Sequence, residues 1–460
     1  MTRTGRARDC RRKDILAHAL LAVLLAAVAL RGGVTGGAAA GLGLAVAVLA
    51  ASAALLGNLV PVSSRALWVA LAWCGVALGS TVWSVEPDAS LDAVAAILTA
   101  ALVFLLAASL LGPARRQRFL LEFGVSGAIV AAVSIAWVEP GARATVPFGN
   151  ANHLGAWLLL PGAIAFGHLL FADITRRGRR ESAVLWFGVL GVVGAGLAIS
   201  ESRGATLAAF AAAAGMIAMR WTGAGPVAGG LVTAAAALCI VPSLAPDLFP
   251  MYADAGESSA GIRWGVYAAA ARVALDAAPL GVGAGGFATA FSAHRPAGLP
   301  YAVGFAHSEP LHGLTELGVP YLILTALTIV LVLKRAAPRL GARAPHAARC
   351  GAGALIALGV HSLIDFPLHV PALALSGAAL AGLTWSALEP ECAPGTIGGT
   401  KQTRICVGSL GLVLAALCAT QAIAVRAADR AHARLAAGDF AGAEAAVRDG
   451  LRVRPARGGL

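Results

Sequence analysis

Residues 92–111 read "DAVAAILTAALVFLLAASLL", and Asp92 is the one charged side chain in this stretch. A helix needs about 20 apolar residues to cross the hydrocarbon layer of a membrane, so the stretch predicts a membrane-spanning helix. The 460 residues as a whole are 58% hydrophobic and 13% charged, with a mean hydropathy of +0.78. Soluble globular proteins average about 45–50% apolar and about 25% charged residues. The composition therefore predicts a polytopic membrane protein.

Similar apolar runs along the chain predict an all-α transmembrane bundle of about 12–13 spans. The first run follows six Lys and Arg residues, and we interpret it as a retained first helix because no signal-peptide cleavage site follows it. The predicted spans are 15–30, 35–56, 66–83, 92–111, 119–138, 153–171, 182–199, 204–219, 226–245, 308–333, 350–365, 370–388 and 405–425.

The distribution of positive charge predicts the orientation of these spans. Before residue 426, one set of alternate loops and the N-terminus hold 22 Lys and Arg, whereas the other set holds six. Positively charged loops stay in the cytoplasm. The N-terminus and the loop 334–349 are therefore predicted to be cytoplasmic, and the loop 246–307 to be extracytoplasmic. The net charge of +12 follows largely from this topology and requires no nucleic-acid partner.

The seven cysteines are scattered and form no C-x-x-C pair. Their spacing predicts neither a disulfide framework nor a zinc site. We interpret them as small residues of the bundle or of its lipid-facing surface.

The predicted loop 246–307 is much longer than the others, and long loops in compact domains are usually functional or disordered. It contains "IRWGVYAAAARVALDA", which predicts a short helix ended by Pro279, and "PLGVGAGGF", which predicts a tight glycine turn. We expect the loop to fold over the outer membrane surface as a partial lid.

Ionisable and polar side chains gather on this predicted outer side. Such residues at membrane depth are costly, and their presence indicates function. A helix cap or a headgroup-level charge is the alternative for any one of them, but five sites on one side weaken that interpretation. The sites are "FGNANHLGA" with Asn150, Asn152 and His153, "SESRGA" with Arg203, the long loop with Arg263, the span start with His307, and "HSLIDFPLHVP" with His361 and Asp365.

Several of these segments, in this order, resemble the O-antigen ligase and O-antigen polymerase superfamily of bacterial inner-membrane proteins. The resemblance covers roughly residues 60–390, and one departure is Ser308, where the family commonly has Asn. The segments that carry it are "SRGA" (202–205), "RWGVYAAAARVALDAAPLGVGAGGF" (263–287), "AHSEPLHGLTELGVPYLI" (306–323) and "HSLIDFPL" (361–368), with "FGNANHLGA" (148–156) upstream.

The resemblance implies transfer of a glycan from an undecaprenyl-diphosphate-linked donor to an acceptor hydroxyl, without a metal or another cofactor, on the periplasmic face of the inner membrane. Arg203 and Arg263 could bind the diphosphate through forked hydrogen bonds and stabilise its developing charge. His307 could accept the hydroxyl proton as a general base. The candidate substrate-binding residues are Asn150, Asn152, His153, Glu316 and Asp365.

The start of the span after the long loop suits this role for His307. Ser308 is a predicted N-cap, and a helix N-terminus beyond His307 disfavours the imidazolium form. His312 and Glu316 are four residues apart and are predicted to pair. A metal ion joining Glu309 and His307 is the alternative for this stretch.

The remaining 426–460 segment is predicted to be a helical tail, separate from a transmembrane domain at 1–425. "LAAGDFAGAEAAVRDGLRVRP" resembles the second half of one tetratricopeptide repeat, and a single amphipathic helix on the membrane is the alternative. With thirteen spans and a cytoplasmic N-terminus, the tail is predicted to lie outside the cytoplasm.

Three function classes remain open at this point: an enzyme, a transporter, and a receptor or assembly protein, the last of which would rest on the short tail alone. The enzyme would use a lipid-linked glycan donor and either a lipid A-core sugar, a growing polysaccharide or a protein as its acceptor. A transporter or flippase of lipid-linked glycans would instead place polar residues through the membrane midplane, often within inverted repeats. The spans are nearly free of internal charge and show no clear repeat, which favours the enzyme.

Overall fold

The computed structural model is a bundle of helices. It contains fifteen α-helices and no β-strand within the residues it describes, so the prediction of an all-α polytopic bundle is confirmed. The described residues are 3–56, 59, 62, 64–171, 177–221, 259–296, 299, 302–336, 338–340, 344–389 and 400–455.

We number the helices in chain order. They are α1 Arg3–Ala29, α2 Gly36–Leu55, α3 Ser64–Ser80, α4 Pro87–Leu110, α5 Pro113–Ala136, α6 Ala151–Phe171, α7 Arg177–Ser200, α8 Arg203–Trp221, α9 Ser259–Asp276, α10 Phe287–Ser292, α11 Glu309–Ala336, α12 His346–Ser362, α13 Pro371–Ala387, α14 Thr400–Ala436 and α15 Phe440–Val453.

Seven of these helices are long and apolar enough to cross a membrane, namely α2, α4, α5, α6, α7, α11 and α14. Two shorter apolar helices, α3 and α13, coincide with two further predicted spans. Twelve of the thirteen predicted spans fall on a helix. The exception is 226–245, which lies outside the described residues, as does the first part of the long loop, 246–258.

Burial differs sharply between the central and the peripheral helices. Trp157 on α6 is fully buried and donates from Nε1 to the Ser376 hydroxyl on α13 at 3.3 Å. In contrast, Ile323 and Leu327 on α11 are 60% and 48% exposed. Lipid tails are as apolar as these side chains, so the exposed side of α11 is suited to face lipid.

Helix α11 is interrupted at Gly318, where φ is 58° and ψ is −140°. The interruption frees backbone groups that the preceding loop then binds. The amides of Val282 and Gly283 donate to the carbonyls of Thr315 and Glu316 at 3.0 and 2.9 Å. Backbone polar groups that lose helical partners must find others. The turn after α9 supplies them here.

That turn is the predicted glycine turn, and its tight geometry is confirmed. Gly281, Gly283 and Gly285 all have positive φ, between 75° and 90°, which glycine adopts without a steric penalty. The turn also contacts the corner between α3 and α4. The Ser90 hydroxyl donates to the Ala284 carbonyl at 2.6 Å. The long loop is therefore fastened to two parts of the bundle.

The C-terminal segment packs back on the bundle. Helix α14 runs without a break through residue 426, and α15 follows a turn at Gly438 and Asp439. Beyond α15, Arg454 is 1% exposed and donates from Nη1 to Oδ1 of Asp92 on α4 at 2.6 Å. The division into a 1–425 domain and a 426–460 tail stays a prediction.

Candidate active site

Asp365 lies at the centre of a group of ionisable side chains at one end of the bundle. Helix α12 ends at Ser362, so Asp365 belongs to the short connection that precedes α13, and its side chain is 7% exposed. Its Oδ1 lies 3.5 Å from Nδ1 of His307. Its Oδ2 lies 3.9 Å from Nε2 of His361 and 4.0 Å from Nη2 of Arg263. We call these four residues the aspartate cluster.

The carboxyl group of Asp365 is held in its charged form. Burial acts to raise the pKa of Asp365, but the nearby His307 ring and the electrostatic effects of His361 and Arg263 outweigh it. The net effect lowers the pKa below its ordinary value. Asp365 is therefore a carboxylate at neutral pH, able to orient an imidazole ring beside it.

His307 occupies a constrained backbone position just before α11. Its φ is 52°, in the left-handed region that costs energy for residues other than glycine. The Tyr267 hydroxyl donates to the His307 carbonyl at 2.9 Å, which holds this conformation. The next residue, Ser308, accepts the first helical hydrogen bond, from the His312 amide at 2.9 Å. As predicted, His307 directly precedes a helix N-terminus.

The "FGNANHLGA" residues lie at the start of α6. Asn150 caps this helix, because its Oδ1 accepts from the amides of Asn152 and His153 at 2.8 and 3.4 Å. Asn152 accepts from Arg143 at 3.1 Å. The His153 ring packs edge-on against Phe366, with ring centroids 5.5 Å apart, and so borders the aspartate cluster. Its Nε2 is buried with no hydrogen-bond partner among the described residues.

Arg203 is the first residue of α8 and has an exposed side chain. The next residue, Gly204, packs against His361 of the aspartate cluster. A Cβ on Gly204 would lie 3.3 Å from His361 Nδ1. The backbone at Arg203 is thus beside the aspartate cluster.

Glu316 belongs to a second group of ionisable residues, next to the first. Glu316 and His312 pair as predicted, with 3.1 Å between Oε1 and Nε2. Nearby, Glu309 lies 3.1 Å from Nδ1 of His369 and accepts from the Leu368 amide at 2.6 Å. We call Glu309, His312, Glu316 and His369 the glutamate cluster. Glu309 therefore faces His369, away from the metal arrangement with His307 considered above.

Two aromatic rings separate the clusters. Phe305 stacks on Phe366 at 4.3 Å between centroids, and its ring lies 5.0 Å from His369. The Phe366 ring in turn lies 5.0 Å from the His307 ring. The aspartate cluster thus gathers His307, Arg263 and Asp365, with His153 beside it. Glu316 stands behind this aromatic pair.

The glutamate cluster has metal-type ligands, but its hydrogen bonds assign it a different role. Ligand atoms of His312, Glu316 and His369 lie within 4.8 Å of one another. The Ala306 amide donates to His312 Nδ1 at 3.3 Å, which places the ring proton on Nε2, facing Glu316. A protonated Nε2 cannot bind a metal. The cluster is therefore a hydrogen-bonded support at the start of α11.

Sequence reasoning did not identify His369, Tyr267 or Phe366. His369 stands within the quoted "HSLIDFPLHVP", and its proximity to Glu309 could not be read from sequence distance. Tyr267 lies in the quoted loop helix, one turn after Arg263, which is the spacing of residues on one helix face. The spacing between Arg263 and Tyr267 was therefore the signal in the sequence that could have identified Tyr267.

A protein-family model matches the middle of the chain. Residues 186–326 match the model of the O-antigen ligase family. The resemblance found in the sequence is thereby confirmed for a segment that includes Arg203, Arg263, His307 and Glu316. No curated protein matches the chain. The match supports glycan transfer in O-antigen biosynthesis as the activity.

Proposed function

We propose that this protein transfers a glycan from an undecaprenyl-diphosphate-linked donor to a hydroxyl of a lipid A-core sugar or of a growing polysaccharide. The reaction takes place on the periplasmic face of the bacterial inner membrane. The observation that carries the proposal is the contact between His307 and Asp365, beside Arg263, within or next to the segment that matches O-antigen ligases.

His307 is the general base in this reaction. Because the Asp365 carboxylate faces Nδ1, it favours the tautomer with the proton on Nδ1 and the lone pair on Nε2. Nε2 takes the proton of the acceptor hydroxyl as its oxygen attacks the anomeric carbon of the donor. The bond from that carbon to the diphosphate oxygen breaks, and the lipid diphosphate leaves with the electron pair.

Arg263 and Arg203 bind the leaving diphosphate. Arg263 contacts Asp365 only at 4.0 Å, and its Nη1 donates to the Ile364 carbonyl at a long 3.4 Å. Contacts of this length are readily exchanged for the shorter charge-assisted bonds that a phosphate forms with a guanidinium group. Arg203 adds a second exposed arginine, next in sequence to Gly204, which packs against His361. Together they supply the charge that a divalent ion supplies in other transferases, so the proposed mechanism is independent of metal.

The remaining candidates bind the glycan or shape its site. The buried, unpartnered Nε2 of His153 is available to a sugar hydroxyl beside the aspartate cluster. Asn152 lies at the same helix end, and Asn150 positions both by capping α6. Glu316 acts at a distance, through His312 and the start of α11.

The proposal is tested by glycan transfer with the full chain in lipid nanodiscs and a synthetic undecaprenyl-diphosphate glycan. His307→Gln should lower the rate by about 10²–10⁴, the usual contribution of a general base. The matched control is His294→Gln, because His294 lies in the same loop but pairs with Asp276 on the surface at 2.8 Å. The control should retain the wild-type rate. Equal rates for His307→Gln and wild type would remove the base assignment.

Two further arms test the diphosphate site. Arg263→Lys and Arg203→Lys keep the charge and lose the planar fork, so both should impair transfer strongly. Arg295→Lys in the same loop is the control, since Arg295 donates to the nearby Leu299 carbonyl. After EDTA treatment the rate should not depend on added Mg²⁺ or Mn²⁺. Loss of activity in EDTA and its recovery with Mg²⁺ or Mn²⁺ would overturn metal independence.

A further inference from the structure

A second group of metal-type ligands lies at the opposite end of the bundle. It consists of His168 near the end of α6 and of His346 and Cys350 on the first turns of α12. Helix α6 also carries His153, fifteen residues earlier, so the two sites are about 22 Å apart along this helix. The group therefore has no part in the chemistry proposed above.

The three side chains point their ligand atoms at one another. One nitrogen of each histidine and the sulfur of Cys350 lie within 4.8 Å of one another. The distance from Cys350 Sγ to His346 Nδ1 is 3.6 Å. Two ligands of a tetrahedral zinc ion are about 3.5 Å apart when one is nitrogen and the other sulfur, given bonds of about 2.0 and 2.3 Å. His346 and Cys350 thus already have the separation of ligands to one ion.

His168 supplies the observation that points to a missing partner. Its Nε2 is buried and has no hydrogen-bond partner among the described residues. A buried polar nitrogen without a partner is costly. The ring cannot easily turn away, because it stacks on Trp186 with the centroids 4.0 Å apart and the planes 9° from parallel. The centroid of the His346 ring also lies 4.3 Å from that of His168.

The surroundings suit a soft ion. Cys350 is fully buried and Met216 borders it, since a Cβ on Gly167 would meet Met216 Cε at 2.7 Å and Cys350 Sγ at 2.9 Å. Thiolate, imidazole and thioether ligands select d¹⁰ ions such as Zn²⁺ and Cu⁺ over the hard cations that carboxylates prefer.

From this geometry we infer that His168, His346 and Cys350 form a binding site for a soft d¹⁰ metal ion, Zn²⁺ or Cu⁺. The ion joins the end of α6 to the start of α12, the two helices that carry His153 and His361 at their other ends. It is a structural ion that fixes these helices relative to each other. The glutamate cluster also has metal-type ligands, but the His312 nitrogen that faces Glu316 is protonated. It therefore serves as a comparison group that should not bind the ion.

The test uses the reduced full chain in nanodiscs, without a polyhistidine tag, after metal is removed by a chelator. Co²⁺ is the spectroscopic probe for Zn²⁺, because a thiolate ligand gives a charge-transfer band and tetrahedral geometry gives intense visible bands. One Co²⁺ per chain should bind and be displaced by Zn²⁺. A separate titration with Cu⁺ against a chromophoric chelator distinguishes the two ions. Binding of either ion at one per chain supports the site.

Variants assign the ligands. Cys350→Ser should abolish the charge-transfer band, and His168→Gln or His346→Gln should weaken Co²⁺ binding by about tenfold or more. Cys74→Ser and His312→Gln are the controls and should keep the band. Should a ligand variant fail to fold, the wild-type titration still decides, together with the rise in unfolding temperature that Zn²⁺ causes by binding the native state. Absence of stoichiometric binding by both ions, or a band that persists in Cys350→Ser, overturns the inference.

Discussion

Nδ1 of His307 lies 3.5 Å from Oδ1 of Asp365, which joins the start of α11 to the end of α12. The carboxylate is buried and the ring is 27% exposed, so the acid is shielded while the base can reach solvent. A carboxylate this close to a histidine ring favours the tautomer with its proton on the nitrogen that faces the carboxylate.

Replacement of Asp365 by Asn should therefore lower the rate of glycan transfer strongly but change the unfolding temperature little. The amide keeps the shape of the side chain but can favour the wrong tautomer of His307, and we expect a rate loss of about 10²–10⁴. The measurement is the transfer rate beside the unfolding temperature in the same nanodiscs. Asp276→Asn, in the same outer segment, should transfer normally. A wild-type rate for Asp365→Asn would separate Asp365 from the reaction.

The topology predicts opposite labelling of two exposed positions. In a background with Cys10→Ser, Ser292→Cys should react with a membrane-impermeant maleimide in intact cells with a permeabilised outer membrane, and Arg339→Cys should react only after lysis. Both native side chains are exposed, so accessibility itself is equal. The reverse labelling pattern would place the aspartate cluster in the cytoplasm and end the periplasmic mechanism.

The glycine turn predicts a sharp contrast between two glycines of one loop. Gly283 has φ of 90°, and a Cβ there would lie 2.6 Å from the Ser84 backbone. Gly283→Ala should cost about 2 kcal/mol or more, from left-handed strain and from overpacking. Gly304→Ala is the control, because nothing lies within 4 Å of its Cβ position. Unfolding temperatures of the two variants give the comparison, and equal values would contradict the tight packing of the turn.

The pair of Glu309 and His369 predicts a pH-dependent contribution to stability. Burial acts to lower the pKa of His369, but the Glu309 carboxylate outweighs it and raises the pKa above its ordinary value. A raised histidine pKa gives stability that is complete below the unfolded value of about 6.5 and is lost as pH rises through the folded value. The unfolding-temperature difference between wild type and His369→Gln should thus shrink from pH of about 6 to about 9. A difference that grows with pH would contradict the pairing, to which the Glu316 carboxylate also contributes.

The ion pair between Arg454 and Asp92 is expected to hold the C-terminal segment against α4. Asp92→Asn leaves a buried guanidinium without its charged partner, and because the Asp92 side chain is 33% exposed we expect a cost of about 1–3 kcal/mol. Hydrogen exchange in α15 should accelerate accordingly. Arg452→Gln is the matched control two residues away, since its pair with Asp449 is 71% and 56% exposed. Unchanged exchange in Asp92→Asn would show that α14 packing alone holds α15.

The spans and the glycine turn can be predicted from the sequence alone, because both depend on local patterns. Apolar runs of about 20 residues have few alternatives to a spanning helix. His307 and Asp365 are far apart in the sequence, so no local pattern predicts their contact. The sequence indicated only that both residues lie on the same side of the membrane. Asn150 illustrates the limit, since a polar residue at a helix start is equally consistent with binding and capping, and the structure shows a cap. The site at His168 was invisible to cysteine spacing because its ligands come from two distant helices.

The interruption of α11 at Gly318 has a mechanical consequence. A broken helix usually bends at the break, so that its two halves move separately. Here the amides of Val282 and Gly283 bind the carbonyls of the first half, and the amide of Val319 in the second half donates to the Pro279 carbonyl at 2.8 Å. The turn bridges the break and stiffens it. A displacement of the lipid-facing half of α11 is therefore transmitted across the break to the segment that carries His307, rather than being absorbed at Gly318.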